Sequence, residues 1–417
     1  MSEVSEVSEV NGMLRETWAE VSLNRIRENM LRIRKSLPYS VKLMAVVKAN
    51  GYGHGDIESA AAAERAGADY LAVAYIEEAL RLRGAGMKLP ILVLTPIRPE
   101  HVQLALELDL TLTVTGARWF AEMRAYKPYA SAGKLRVHVK MDTGLGRIGI
   151  RAKTEWDELV PWLRAKDIEV DGFYTHFATA GEADTTFLEQ QAARFMEMKQ
   201  WGRASRLAIR HYHCAGSAAA LRFPHLAMDM VRIGAAMYGY YPEKLVHSIK
   251  LEPALSLHSR LIHVKKLARG EYLGYNNSYR ADEDEWIGTV PIGYADGWTQ
   301  RMQGTDVLIE GRRAPIVGKI CMDQLMIKLP GPCAEGALVT FIGTQGEQRI
   351  TFSELAAHIG SVAQEISTSI GVRVERTYTD TEEVYARWNN PTKPNDIKPN
   401  VNRPAVSKSI AGKQAAI

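Results

Sequence analysis

One alternation constrains this chain more than any other feature. Between about residues 40 and 235, short β-branched apolar runs recur with amphipathic segments between them. The runs are KLMAVV from Lys42, DYLAVA from Asp69, PILVLT from Pro90 and LTLTVT from Leu110. They continue with LRVHVKM from Leu135, IEVDGFY from Ile168, AIRHYHC from Ala208 and MDMVRIG from Met228. Helical stretches such as DIESAAAAERAG and TTFLEQQAARFMEMKQWG lie between most of them. Strand–helix alternation favours a parallel sheet, because parallel neighbours need a long crossover. Eight such units in roughly 200 residues fit a closed (β/α)8 barrel of the TIM type. An open doubly wound sheet is the alternative that the pattern leaves.

From about Leu251 the rhythm changes. LSLHSRLIHVKKL, EWIGTVPIGY, DVLIEGRRAPIVGKI, QLMIKL and LVTFIG read as strands separated by glycine-containing turns, with one helix around SELAAHIG. The expected organisation is therefore an α/β barrel over residues 16–250 and a β-rich C-terminal domain over 251–388. Residues 1–15, with their SEV repeat, and the Pro-, Asn- and Lys-rich stretch 389–417 read as disordered tails, because they hold too little apolar surface to offset the entropy of ordering.

Composition narrows the class. No apolar run approaches the roughly 20 residues needed to cross a bilayer, and the opening MSEVSEVSEV lacks the basic and apolar regions of a signal peptide. A cytoplasmic location is the expectation. Cys214, Cys321 and Cys333 have no metal-site spacing, so no metal is expected. The net charge of +4 comes without a basic stripe interleaved with aromatics, so neither nucleic acid nor membrane is expected as a partner.

In a barrel, chemistry gathers at the C-terminal ends of the strands. The first of the eight runs leads into Lys48 and AlaAsnGlyTyrGlyHisGly, the fifth into KMDTGLGR, and the sixth ends at Tyr174-Thr-His176. The seventh leads to His213-Cys214-Ala-Gly-Ser217 and the eighth to Arg232-Ile-Gly234. A lone lysine after an apolar strand is usually a solvated strand end. Glycines 51, 53 and 55 change that reading, since they permit close backbone approach to a ligand. An amine on a rigid strand end suits condensation with an aldehyde cofactor. Ser217 and the backbone at Gly234 suit a phosphate. A rival motif, Gly144-Leu-Gly146-Arg-Ile-Gly149, matches the dinucleotide fingerprint, but it follows the fifth strand and its helix is delayed.

At AVVKANGYGHG the chain resembles the cofactor-lysine signature of the alanine racemases. The likeness continues in the family's order through KMDTGLGRIG, YTHFATA, HCAGSAAALRFP, MVRIGAAMYG, GTVPIGYADG and APIVGKICMDQ, from about Thr17 to about Thr379. The resemblance implies a pyridoxal 5'-phosphate enzyme that interconverts L- and D-alanine. It also implies a homodimer in which the barrel of one chain and the β domain of the other complete each site. Lys48 is then similar to the lysine that holds the cofactor and serves one face of the α-carbon. Tyr275, in LGYNNSY, is similar to the tyrosine that serves the opposite face from the partner. Arg232 resembles the arginine at the pyridine nitrogen, and Tyr52, Ser217, Gly234 and Ala235 the phosphate site. Arg147 and His176 resemble the residues that orient the tyrosine. Met322, Asp323 and Tyr294 would line the substrate region from the partner.

Racemisation takes a proton from one face of the α-carbon and delivers one to the other, so an amine and a phenol on opposite faces suit it. An arginine only donates hydrogen bonds, so Arg232 is expected to leave the ring nitrogen unprotonated and to limit transamination. Lys140 matches a position that is often carbamylated in the family; a lysine–carboxylate pair is the alternative. The chain departs from relatives at Val372, where some place a phosphate-binding tyrosine, and at Gly216, where many have asparagine. A serine or broad-specificity racemase and a non-catalytic cofactor carrier are the rival functions. A decarboxylase of the same barrel type fits less well, since an acidic residue would replace Arg232. His54, His211 and His213 read as structural, Cys321 as a packing residue, and Trp286 and Trp298 as core or interface aromatics.

Overall fold

The computed structural model describes residues 15–129, 133–241 and 249–379. The two tails expected to be disordered lie outside these residues, save Arg15. All eight apolar runs form strands. Strand β1 (Thr17–Ser22) precedes them; the eight are β2 (Lys42–Val46), β3 (Tyr70–Val73), β4 (Ile91–Val93), β5 (Leu110–Val114), β6 (Leu135–Lys140), β7 (Ile168–Tyr174), β8 (His211–His213) and β9 (Met230–Ile233). They pair in parallel in the order β8-β7-β6-β5-β4-β3-β2-β9. The last gap, between β8 and β9, is spanned by a parallel bridge from Gly216 to Arg232. The amides of Asp229 and Arg232 donate there to the Tyr212 and Ala215 carbonyls at 3.1 and 3.0 Å. The sheet is thus a near-closed barrel and not an open doubly wound one.

Helices cover the barrel for identifiable reasons. Helix Leu23–Lys35 starts on Ser22, whose hydroxyl accepts from the Arg25 amide, and ends in Arg32, Arg34 and Lys35, which complement the helix dipole. Its Leu23, Ile26, Met30 and Ile33 recur at helical spacing and are fully buried. The facing helix Asp56–Arg65 presents Ala60–Ala63, all buried, small enough to let the two approach.

The second unit contains β10 (Leu255–Arg260), β11 (His263–Leu267), β12 (Tyr272–Leu273), β13 (Tyr279–Arg280), β14 (Glu285–Val290), β15 (Asp306–Ile309), β16 (Arg312–Val317), β17 (Leu325–Leu329), β18 (Leu338–Gln345), β19 (Gln348–Ile350) and β20 (Glu375–Thr379). Strand β1 also belongs here, antiparallel to β10 and parallel to β20. Chain position alone groups residues 17–22 with the barrel. Their alternating burial is instead that of a strand with one face in a sheet core. The expected helix is Phe352–Ile359, and a second, Ala363–Ser369, follows it. Trp298 is a core aromatic, 4.9 Å from the Phe341 ring.

The two units meet behind the glycine-rich loop. A Cβ on Gly53 would lie 2.0 Å from the Ser367 carbonyl, and one on Gly55 2.0 Å from the Tyr378 hydroxyl. These glycines therefore serve domain packing.

Candidate active site

Strand β2 delivers Lys48 to the rim, and the chain then makes a left-handed turn. The φ/ψ pairs are 53/53° at Ala49, 52/50° at Asn50 and 58/42° at Gly51, and Tyr52 remains at φ 54°. Glycine adopts this region freely, but an L residue pays about 1–2 kcal/mol, so the turn must be held. Glu78 holds it from outside: one carboxylate oxygen accepts the Ala49 amide at 2.7 Å, and the other accepts the amides of Ala74 (2.6 Å) and Tyr75 (3.2 Å). His54 holds it from within. Its Nδ1 lies 3.1 Å from both the Gly51 and Tyr52 carbonyls, which only accept, so Nδ1 carries the proton. Burial pushes the His54 pKa down to about 3, and the neutral ring stacks on Tyr238 at 4.4 Å. From β20, Arg376 donates to the Gly53 carbonyl at 3.1 Å.

The turn brings Tyr52 back over the barrel mouth. Lys48, Tyr52, Ser217, Gly234 and Ala235 line a cavity of about 580 Å3, which Lys140, Arg147, His176 and Arg232 line as well. The amides of Gly234 and Ala236 converge on Ser217 Oγ at 3.0 and 3.3 Å. Gly234 leaves room for the phenol; a Cβ there would lie 2.6 Å from Tyr52 Oη. Burial pushes Tyr52 up to about 12, which keeps it a donor. Backbone amides, a hydroxyl and a protonated phenol make a cradle suited to a phosphate group.

Arg232 is buried at the barrel mouth. Its Nη1 donates to His213 Nδ1 at 2.7 Å; its Nη2 donates to the Thr175 and Cys214 carbonyls at 2.7 and 3.0 Å and lies 3.0 Å from His176 Nδ1. Both terminal nitrogens are thus engaged. Among the described residues Nε has no partner and is the donor left for a ligand in the cavity. Nη2 shares its two hydrogens among the Thr175, Cys214 and His176 acceptors; a hydrogen on His176 Nδ1 would set donor against donor, so His176 carries its proton on Nε2. Burial and the Arg232 charge hold His176 well below the usual histidine range. Gly216 sits against this ring: a Cβ there would lie 3.0 Å from His176 Cε1.

Two lysines share the site. Burial lowers the pKa of Lys48, Arg147 lowers it further, and Glu78 works in the opposite direction. Lys140 lies well below the usual lysine range, through burial and the charges of Arg232 and Arg147. Its Nζ lies 4.6 Å from the centroid of the Tyr174 ring. The carboxylate that might have paired with it, Asp142, is committed elsewhere. Asp142 accepts the Gly144 and Gly146 amides, both at 3.0 Å, and faces Arg151 at 3.9 Å. The same contacts remove the dinucleotide reading of Gly144–Gly149. A carboxylate fills the amide pocket where a phosphate would bind, and the next helix begins only at Lys153.

Tyr275 and Tyr294 open short 3-10 turns of the β domain, Met322 and Asp323 lie on one of its loops, and none of the four lines this cavity. Tyr275 is 68% exposed, Met322 53% and Tyr294 41%. Tyr294 and Met322 are neighbours, because the amides of Tyr294 and Ala295 donate to the carbonyls of Cys321 and Met322. Asp323 pairs with Arg373 at 2.8 Å, and Arg373 also reaches buried Asp296 at 3.3 Å. Val372 is 96% exposed and lines no part of the cavity.

Sequence reasoning gave no role to Glu78, Tyr174, His138 or Asp171. Tyr174 packs face to face on His213 at 4.7 Å beneath Arg232. His213, read as structural, turns out to touch the site arginine. The available signal was polarity: HVK inside β6 and VDG inside β7 place charged or polar residues in strands that a barrel interior usually fills with apolar ones.

A near-closed parallel barrel whose mouth gathers an amine, a phosphate-type cradle and a buried arginine, joined to a β domain, defines a barrel enzyme with an amine-centred site. Residues 21–242 match the alanine racemase N-terminal domain family and residues 254–378 the C-terminal domain family. The chain is 47% identical over 368 residues to an alanine racemase of Geobacillus kaustophilus, covering 87% of this chain and 94% of the relative. It is 46% identical over 373 residues to that of Geobacillus stearothermophilus, covering 88% and 95%. The crystal structure of alanine racemase from Bacillus anthracis superposes with a TM-score of 0.86 at 43% identity, covering 88% of this chain and 96% of that one. The chain belongs to the alanine racemase family and is an amino-acid racemase.

Proposed function

We propose that this chain interconverts L- and D-alanine with pyridoxal 5'-phosphate bound at Lys48, in a homodimer whose β domains each complete the partner's site. The observation that carries the reading is the convergence of Lys48, the Tyr52–Ser217–Gly234 cradle and Arg232 on one cavity. When bound, the cofactor supplies the electron sink that acidifies the α-proton of the amino acid. Tyr52, Ser217 and the backbone at Gly234 and Ala235 hold its phosphate. Arg232 donates through Nε to the ring nitrogen and, lacking an acceptor, leaves that nitrogen without a proton.

Lys48 holds or takes a proton on one face of the α-carbon. Tyr275 of the partner subunit does so on the other, oriented by Arg147 and by the Nε2 proton of His176. Met322, Tyr294 and Asp323 frame the substrate from the partner, Asp323 acting through Arg373. The exposure of Tyr275, Tyr294 and Met322 supports this, since large side chains bared together mark a surface awaiting a partner. Lys140, whose amine burial shifts toward the neutral form and which pairs with no carboxylate among the described residues, is suited to take up carbon dioxide as a carbamate, and the resulting anion would face Arg147. The D-alanine formed would serve cell-wall synthesis, and the same reaction run in reverse would serve the use of alanine as a nutrient.

The test is chiral analysis of products from purified protein and pyridoxal 5'-phosphate given L-alanine, with L-serine in parallel. Rapid approach to equal D- and L-alanine, with serine much slower, is expected. A faster serine reaction would replace the substrate, and no racemisation of either would remove the reading.

A further inference from the structure

A chain of polar groups runs through the barrel interior to Arg232. His213 Nδ1 lies 2.7 Å from Arg232 Nη1, His213 Nε2 lies 3.0 Å from His138 Nδ1, and His138 Nε2 lies 3.0 Å from Asp171 Oδ2. Its two ends fix every proton between them. Arg232 only donates, so His213 Nδ1 accepts and His213 carries its hydrogen on Nε2. That hydrogen goes to His138 Nδ1, and His138 then donates from Nε2 to the carboxylate. All three bonds point one way, and both rings are neutral.

The setting is built for this arrangement. Between β6 and β7 the register shifts at Val137/His138: Val137 faces Val170 while His138 faces Gly172, so Asp171 is the extra residue of a β-bulge. Bulges re-aim side chains and are over-represented beside active sites. Gly172 then makes room for the ring, since a Cβ there would lie 2.5 Å from His138 Nδ1. Burial lowers both histidines, and Arg232 lowers them further. Burial pushes the Asp171 pKa up, yet the hydrogen bonds from His138 and Tyr70, with His211 nearby, together keep the carboxyl below its usual range.

We propose that His138 and Asp171 are positioning residues for racemisation: acting through His213, they hold Arg232 in one orientation, with Nε free for the cofactor ring. Deleting the carboxylate lets His138 adopt either tautomer. In one of them its Nδ1 becomes a donor facing the donor of His213; if His213 moves its hydrogen to Nδ1 to relieve this, it can no longer accept from Arg232 and that bond is lost. The inference rests on the proposed function, because Arg232 matters to catalysis only if the ring nitrogen faces it.

The experiment compares Asp171→Asn, His138→Leu and His138→Gln with the wild type, each checked for folding by thermal unfolding. Histidine-selective nitrogen-15 NMR, with His213→Gln used for assignment, reads the His213 tautomer with or without cofactor. Steady-state kinetics with L-alanine and the ratio of transamination to racemisation are measured alongside. The wild type should show His213 as a single neutral Nε2–H ring. Asp171→Asn and His138→Leu should show mixed tautomers, a kcat on the order of tenfold lower with little change in KM, and more transamination. His138→Gln can donate to Asp171 and accept from His213, so it should restore tautomer, rate and ratio together. A His213 Nδ1–H ring in the wild type, or normal kcat and ratio in folded His138→Leu, would overturn the proposal. A wild type that does not racemise would instead sink the proposed function, while the tautomer readout would still decide the direction of the chain.

Discussion

Gly234 and Tyr52 stand so close that a single methyl group on Gly234 would lie 2.6 Å from the Tyr52 oxygen. The phenol reaches the cradle only because the residue that follows β9 has no side chain. Gly234→Ala should therefore displace Tyr52 and weaken binding of pyridoxal 5'-phosphate by roughly ten- to a hundredfold, the worth of one hydrogen bond to a charged group. Absorbance titration of cofactor into apoprotein measures this. Tyr52→Phe should cost a similar factor, and the double variant little more than either, because both remove the same contact. Additive losses would mean that the two act separately.

Lys48 sits between charges of opposite sign, and the two can be separated by mutation. Burial lowers its pKa, Arg147 lowers it further and Glu78 raises it. The neutral amine is the form that condenses with an aldehyde, so the rate of cofactor uptake should fall as pH drops through the Lys48 pKa. The wild-type midpoint should lie below the ~10.4 of a free lysine. Arg147→Gln should move it upward and Glu78→Gln downward. Reconstitution rates followed by absorbance across pH give the three midpoints. Shifts of the same sign in both variants would contradict the assignment.

Periodicity made the barrel readable because each strand run is short, apolar and bounded by helix formers; all eight from Lys42 to Ile233 follow it. Strand β1 was misgrouped because pairing partners more than 230 residues away leave no local trace: Thr17 pairs with Ser259 and Trp18 with Glu375. At the site, residue type and order pointed to Lys48, Ser217 and Arg232. The left-handed turn at Ala49–Tyr52 was only partly legible: Asn50-Gly51 favours positive φ, but Ala49 and Tyr52 carry no such mark, and Glu78, 29 residues on, holds Ala49 in place. Polar residues inside β6 and β7 hinted at the histidine chain, but its connections were hidden, since a bulge at Asp171 changes which way a strand residue points.

His258 lies far from the cavity, yet it couples stability to pH. Its ring nitrogens bond to Thr340 Oγ1 at 3.0 Å and Ser256 Oγ at 2.9 Å beside Trp18, and burial lowers its pKa to about 4. Unfolded, it titrates near ~6.5. Between those values the unfolded chain binds a proton that the folded chain does not, so stability rises with pH. The contribution is complete above ~6.5 and is lost as pH falls toward 4, by at most about 1.4 kcal/mol per pH unit. His258→Gln keeps hydrogen-bonding groups without the titration. Urea unfolding at pH 7, 6 and 5 should give it a shallower decline than the wild type. An identical slope would mean that His258 protonates without cost.

The shared site makes the sharpest prediction, because it separates an active site completed by a partner from one contained in a single chain. Lys48→Ala removes the amine from the barrel, and Tyr275→Phe removes the phenol from the β domain. Each variant alone should be nearly inactive, since both sites of its homodimer lack one base. After the two are mixed, dissociated and reassociated, half of the dimers are mixed, by random pairing. In a mixed dimer, one site takes its barrel from the Tyr275→Phe chain and its β domain from the Lys48→Ala chain, and is intact; the other lacks both groups. Activity should return to about a quarter of the wild-type value, the share of intact sites expected for a two-fold dimer. The exposed Tyr275 would then be the group that crosses the interface. If the mixture stays as inactive as its parents while native mass spectrometry shows that mixed dimers formed, each chain must supply its own second base, and the partner role of Tyr275 would be lost.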